Sequence, residues 1–163
     1  MLIGVISDTH WTRASQYLDA IDNHFRQVER ILHAGDVVDA SILERLGRIA
    51  PVTAVRGNCE NRELSPRLQH TQLLKLNGVN VGMFHGWEVN LGDPEAIVEA
   101  FPSTVQLIIH GHTHVPVYYE HNGVTIFNPG SPSEPRKSTP PSLGLLWIGD
   151  EGFQLRHVPL EEE

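Results

Sequence analysis

Five segments of this 163-residue chain end in oxygen or nitrogen donors of the kinds that hold metal ions. Asp8 and His10 follow the apolar run 2–7, Asp36 follows 31–34, and Asn58 follows 52–55. His85 follows 79–84, and His112 and His114 follow 105–109. Carboxylate, imidazole and amide donors together suit borderline or hard divalent ions such as Mn, Fe, Co, Ni or Zn. None of these donors is a thiolate, which argues against a structural zinc site. The chemistry open to such a set is metal-assisted hydrolysis, in which a carboxylate spans two cations about 3.5–4 Å apart.

Each segment alone has an ordinary reading. Asp8-Thr9-His10 can be a turn with a hydrogen-bonded histidine, and Gly35-Asp36 a turn and cap. Asn58 after Gly57 is a residue that tolerates positive φ. Gly111-His112-Thr113-His114 carries more weight, because imidazoles two apart in an extended segment share a face. The force of the pattern lies in its recurrence at the ends of successive apolar runs, where open α/β sheets bind ligands.

The elements that must position these donors follow from periodicity. Residues 2–7 read as a buried strand, and 14–27 as an amphipathic helix with Tyr17, Leu18, Ile21, Phe25 and Val28 at helical spacing. A second strand runs to Gly35, and a helix over 40–50 takes Asp39 as its N-cap and stops at Pro51. A third strand covers 52–55. The order β-α-β-α-β predicts parallel strands with right-handed crossovers. The second half reads differently. Asn77-Gly78, Asn122-Gly123 and Asp150-Glu151-Gly152 each join two apolar runs and predict hairpins. Between the first two, a helix starts at Pro94 behind Asp93 and ends near Phe101-Pro102, ahead of a strand over 105–109. The expected fold is α/β: two mixed β-sheets packed as a sandwich flanked by helices, with no cap domain. Residues 1–163 are expected to form a single domain, with 128–142 an ordered loop within it.

Composition narrows the function classes. The formal charge is −8, which disfavours extended binding to nucleic-acid backbone. Two divalent cations beside Asp8 and Asp36 would reverse the local field, so a small anionic substrate fits an acidic chain. No apolar stretch approaches the about 20 residues of a membrane helix, and the first strand starts at Leu2, so no leader segment is expected. Cys59 is the only cysteine, which leaves no partner for an intramolecular disulfide and predicts a cytoplasmic protein. Glu161-Glu162-Glu163 reads as a frayed tail.

Taken in order, Asp8-x-His10, Gly35-Asp36-x-x-Asp39, Gly57-Asn58-Cys59-Glu60, His85-Gly86 and Gly111-His112-x-His114 resemble the signature of the calcineurin-like metallophosphoesterases. The short length, the Gly-Asn-Cys variant, and Asn128-Pro129-Gly130-Ser131 with Pro135-Arg136 resemble one subgroup of it. That subgroup contains small bacterial and archaeal phosphodiesterases and the retromer subunit Vps29. The resemblance implies one cation held by Asp8, His10, Asp36 and His114, and a second held by Asp36, Asn58, His85 and His112. Asp36 is then the bridge, and Asp36, Asn58 and His85 form the catalytic core. It implies a two-metal-activated hydroxide attacking phosphorus of a small phosphodiester, with manganese the favoured ion. The histidine ligands need partners for their second ring nitrogens, which the sequence does not name.

The chain also departs from the family pattern. Larger members carry a leaving-group histidine after the ligand asparagine, where this chain has Cys59. A thiol is the poorer acid, which favours diesters with good leaving groups; packing behind Asn58 is its other reading. Glu60 is read as support for the site. Trp11 and Trp87 are candidate stacking surfaces at the pocket rim, and Arg62, Arg67 and Arg136 candidate phosphate contacts or solvated side chains. His33 and His110, inside apolar strands, are read as core or supporting residues. The rival class is a Vps29-like protein-binding scaffold with vestigial activity. Assembly into a homo-oligomer stays open.

Overall fold

The computed structural model describes residues 1–10 and 17–160. Trp11, the first turn of the expected helix over 14–27, and the acidic tail 161–163 lie outside the described residues. Ten strands and three α-helices follow in the order β1 (Leu2–Ile6), α1 (Leu18–Phe25), β2 (Arg30–His33), α2 (Ala40–Gly47) and β3 (Val52–Ala54). The second half supplies β4 (Thr71–Leu76), β5 (Val79–Phe84), α3 (Pro94–Glu99), β6 (Leu107–Ile109), β7 (Val117–His121), β8 (Val124–Asn128), β9 (Ser142–Gly149) and β10 (Gly152–Pro159). A short 3-10 turn at Ser65–Arg67 lies between β3 and β4.

Two five-stranded mixed sheets result, ordered β10-β9-β1-β2-β3 and β4-β5-β6-β8-β7. The predicted sandwich is present. The parallel set β1, β2, β3 heads the first sheet, and β5, β6, β8 form a parallel centre in the second. The hairpin of β9 and β10 pairs antiparallel with β1 at Leu2↔Trp147, so the end of the chain completes the sheet that its start began. Periodicity predicted that hairpin but could not say which sheet it would join.

Apolar residues stack in layers. Ile3, Val5, Leu32 and Leu146 of the first sheet meet Val81, Met83, Leu107, Ile109 and Phe127 of the second in a buried interior. The outer face of the first sheet packs Ile6, Ile31 and Leu143 against Leu18, Ile21 and Phe25 of α1 and Ile42 and Leu46 of α2. The outer face of the second packs Phe84, Ile108 and Ile126 against Ile97 of α3 and Phe101 just beyond it. Truncating the fully buried Phe25 to alanine would cost about 3–5 kcal/mol.

Local signals act as expected. Asp39 caps α2 by accepting from the Ser41 N–H at 2.9 Å, and Asp93 caps α3 by accepting from Glu95 at 3.1 Å. Among the described residues no helix is long and apolar enough to cross a membrane. Because β1, β2, β3, β5, β6 and β8 run parallel within their sheets, the loops that follow them gather at one edge of the sandwich.

Candidate metal centre

Asp8, His10, Asp36 and His114 each present a ligand atom, and these atoms all lie within 4.8 Å of one another. The first three come from loops after β1 and β2, and His114 from the loop after β6. His10 Nε2 lies 3.2 Å from His114 Nε2 and 3.3 Å from Asp36 Oδ2, while Asp8 Oδ1 lies 3.2 Å from His114 Nε2. His85, after β5, enters from the other side, its Nε2 again 3.3 Å from Asp36 Oδ2. Asp36 Oδ2 is therefore equidistant from imidazoles of the two sheets. The His112 ring packs edge-on against His85 at 5.2 Å, and its backbone N–H donates to Asp8 at 3.1 Å. Asn58 sits at the exposed rim, with its amide donating to Cys59 Sγ at 3.3 Å.

The second ring nitrogens, whose partners the sequence left unnamed, are held by backbone carbonyls. His85 Nδ1 donates to Ala34 O at 2.7 Å, and His114 Nδ1 donates to Glu134 O at 2.6 Å. Fixing the proton on Nδ1 leaves Nε2 with a bare lone pair. His85 Nε2 is buried and has no hydrogen-bond partner. A lone pair buried without a partner is costly unless something else occupies its direction, and a divalent cation would do so. The residues present thus fit the group that the donor chemistry implies.

Asp36 is held as firmly. Its Oδ1 accepts the N–H groups of Asn58 and Cys59 at 2.8 and 2.9 Å, which leaves Oδ2 turned to the imidazoles. Glu60 Oε1 accepts from the N–H groups of Asp36 and Gly57, both at 2.8 Å, tying the two loops together. A Cβ on Gly57 would overlap Asp36 Oδ1, and one on Gly111 would overlap Ser7 Oγ, so only glycine permits these approaches. Asp8, His10, Asp36, His112 and His114 all adopt positive φ, between 41° and 68°. Such conformations cost of order 1–3 kcal/mol each for residues with side chains, and they gather where function requires them.

Electrostatics point the same way. Burial pushes the Asp36 carboxyl up, but the facing His85 imidazole and donation from the Cys59 amide outweigh it and hold it below the ordinary carboxylate range. Burial opposes charge on His85 and His114, yet Asp36 and Asp8 raise the first and Asp8 raises the second. His112 falls, through burial and the neighbouring His85. The two buried carboxylates thus draw positive charge toward the centre. Partial burial and Asp36 push the Cys59 thiol up to about 11, so it stays protonated at neutral pH.

Other expected residues are dispersed. Trp87, two residues after His85, is 41% exposed, and its ring faces His70 at 6.4 Å. Arg62 and Arg67 are exposed, and Arg67 pairs with Glu63 at 3.7 Å. Arg136 is exposed, but its charge reaches the site, where it opposes protonation of His112 and His114. His33 and His110 are buried behind the centre. His157 stacks on Phe127 at 4.5 Å and meets Asn128 O at 2.8 Å. Sequence reasoning also gave no role to Ser131 and Ser133, whose hydroxyls donate to Asp8 O at 2.8 and 3.0 Å. The turn-forming run Asn128-Pro129-Gly130 just before them was the available signal.

Residues 1–151 match the model of the calcineurin-like phosphoesterase superfamily domain, and the chain belongs to that superfamily. It is 40% identical over 153 residues to a protein of Methanothermobacter thermautotrophicus named "probable metallophosphoesterase", covering 93% of this chain and 88% of the relative. It is 35% identical over 114 residues to the phosphodiesterase YfcE of Escherichia coli K12, covering 66% of this chain and 59% of that protein. Among solved structures it resembles Entamoeba histolytica Vps29 in complex with zinc, with TM-score 0.76, 25% identity, and coverage of 99% of this chain and all of that one (100%).

Proposed function

We propose that this phosphoesterase-family protein is a dinuclear metal-dependent phosphodiesterase acting on small diesters. The observation that carries the proposal is Asp36 Oδ2, set 3.3 Å from both His10 Nε2 and His85 Nε2 while its partner oxygen is fixed by backbone donors. Asp8, His10, Asp36 and His114 would hold one cation, and Asp36, Asn58, His85 and His112 the other. When bound, two divalent cations supply a water of lowered pKa as nucleophile and offset charge on the phosphoryl and departing oxygens. Manganese is the favoured ion, with iron, cobalt, nickel and zinc also suited to these donors.

The chain's own residues do the positioning. Ala34 O and Glu134 O hold His85 and His114 in the tautomer that turns Nε2 inward. Glu60 and the Gly57–Asn58–Cys59 turn hold Asp36, and Ser131 and Ser133 hold the backbone of Asp8. Cys59, with its thiol pushed up to about 11, is a weak proton donor beside the centre. That favours diesters whose leaving groups depart without protonation. The name of YfcE, a phosphodiesterase, supports the diester reading.

Hydrolysis of bis(p-nitrophenyl) phosphate by chelator-stripped protein, with and without added Mn²⁺, tests the proposal. Activity that appears with metal and is lost in Asp36→Asn is the expected result. A folded protein inactive with Mn²⁺, Co²⁺, Ni²⁺, Fe²⁺ and Zn²⁺ would overturn it and leave the scaffold role that resemblance to Vps29 suggests.

A further inference from the structure

Thr9 stands between Asp8 and His10, two residues read as ligands of the first cation, and its own side chain turns to β2 instead. It is fully buried, as is His33, the last residue of β2 (0% exposed each). The connectivity around the His33 ring fixes where its proton sits. Gly35 N–H donates to Nδ1 at 3.2 Å, so that nitrogen accepts and Nε2 carries the hydrogen of a neutral imidazole. Nε2–H then donates to Thr9 Oγ1 at 3.1 Å. The Thr9 hydroxyl, with a lone pair engaged, turns its own hydrogen to Asp36 O, 3.4 Å away. A one-way relay therefore runs from the Gly35 N–H through His33 and Thr9 to Asp36 O. Its two ends are neighbours in the chain.

What this ring of bonds clasps is strained backbone. Asp8, His10 and Asp36 have φ of 54°, 41° and 56°, all in the left-handed region. Residues with side chains stay there only where the surroundings over-determine them. Main-chain bonds supply part of the constraint, since Asp8 N–H donates to Gly35 O at 3.0 Å and His10 N–H to Asp36 O at 3.3 Å. Those bonds do not depend on which side chains stand at positions 9 and 33. The relay does, and it fixes Thr9 between the two ligands it separates. Burial makes the pair exacting, because an imidazole N–H left there without a partner costs about 1–3 kcal/mol.

We propose that His33 and Thr9 are positioning residues whose relay holds the Asp8–His10 and Gly35–Asp36 turns in the geometry that binds metal. The proposal rests on the two-metal reading above. Neither side chain meets a cation or a substrate; both act through the turns that carry Asp8, His10 and Asp36. Hydrogen bonds that support metal ligands from outside carry about ten- to a hundredfold in metal affinity.

Calorimetric titration of chelator-stripped protein with Mn²⁺ tests the relay without turnover. Thr9→Val keeps the shape of the side chain and removes the hydroxyl. His33→Asn keeps an oxygen near the place of Nδ1 for the Gly35 N–H but falls short of Thr9, so it cuts the same bond from the other side. Each variant should weaken the binding of at least one ion by about tenfold or more. The double variant should bind no more weakly than the worse of the two, because both changes remove one shared interaction. Thr9→Ser, which keeps the hydroxyl, should bind as the wild type does. A purely structural role would lower the urea midpoint of the metal-free protein and leave Mn²⁺ affinity unchanged. That outcome in either folded variant, or failure of Thr9→Ser to hold metal, would overturn the relay and leave the two-metal centre intact. A wild type that holds at most one ion would overturn the two-metal reading and this inference together.

Discussion

Two clusters of charged side chains differ in kind, and the contrast between them shows what distinguishes a site from a brace. Between α1 and α2, Arg45 Nε and Nη2 reach Asp22 Oδ2 at 3.0 and 2.6 Å, and Nη2 reaches Asp19 at 2.8 Å. That cluster lines a cavity of about 390 Å³ with Leu18, Ser41 and Arg48. Yet Asp19 is 87% exposed, and both helix-borne carboxylates share the Arg45 guanidinium. The Asp8 and Asp36 carboxylates are 0% and 3% exposed, and they meet imidazoles, N–H groups and, at Asp36, the Cys59 thiol. One cluster is complete without a ligand. The other holds a buried unpartnered nitrogen, left-handed backbone at five positions, and two buried carboxylates that meet no arginine or lysine among the described residues. Cavity size therefore misleads here, while unsatisfied chemistry held by costly geometry does not.

The contrast breaks if Asp36 can lose its charge without consequence. Asp36→Asn keeps an oxygen for the Asn58 and Cys59 N–H groups, so the fold should survive. Metal-dependent hydrolysis should fall by about a thousandfold or more, and circular dichroism should be unchanged. A variant within tenfold of wild type would remove the reason to separate the two clusters.

A second consequence concerns His33, whose Nδ1 accepts the Gly35 N–H at 3.2 Å and whose Nε2 meets Thr9 Oγ1 at 3.1 Å. Burial lowers its pKa from 6.5 to about 4, so it stays neutral in the fold. Protons then bind the unfolded chain more readily. The contribution is fully present above pH 6.5 and is lost as pH falls toward 4, to a limit of about 3 kcal/mol. Urea unfolding of chelated protein at pH 7 and pH 4.5 should show the loss, and His33→Gln should reduce it.

Smaller effects refine the picture. Gly57→Ala drives a methyl group at Asp36 Oδ1 and should destabilise by about 1–3 kcal/mol in urea titration, with a parallel loss of activity. Ser131→Ala removes the 2.8 Å donor to Asp8 O and should cost about 1 kcal/mol, together with a weaker Mn²⁺ affinity. Arg45→Ala, in the partly exposed cluster, should change stability by at most about 1 kcal/mol and leave turnover unaltered.

Much of this was legible in the sequence because the donors sit where apolar runs stop, and those runs fix their strands. Asp8 and Asp36 could be placed at one edge from β-α-β order, and His85, His112 and His114 from the ends of their apolar runs. The caps at Asp39 and Asp93 and the Asn-Gly turns are local and read directly. The left-handed backbone at Asp8, Asp36 and His112 was not legible, since glycine is the usual residue there and tertiary contacts impose it. Nor were the carbonyls of Ala34 and Glu134, because every residue carries one and only the fold selects which imidazole it meets. The pairing of β9 with β1 spans most of the chain, and no local pattern encodes it.

The most direct measurement is the number of Mn²⁺ ions held per chain, by equilibrium dialysis and elemental analysis of wild type and Asp36→Asn side by side. A centre bridged by Asp36 predicts two ions in the wild type and loss of at least one in the variant. At most one ion in the wild type, or two still held without the Asp36 charge, would contradict it.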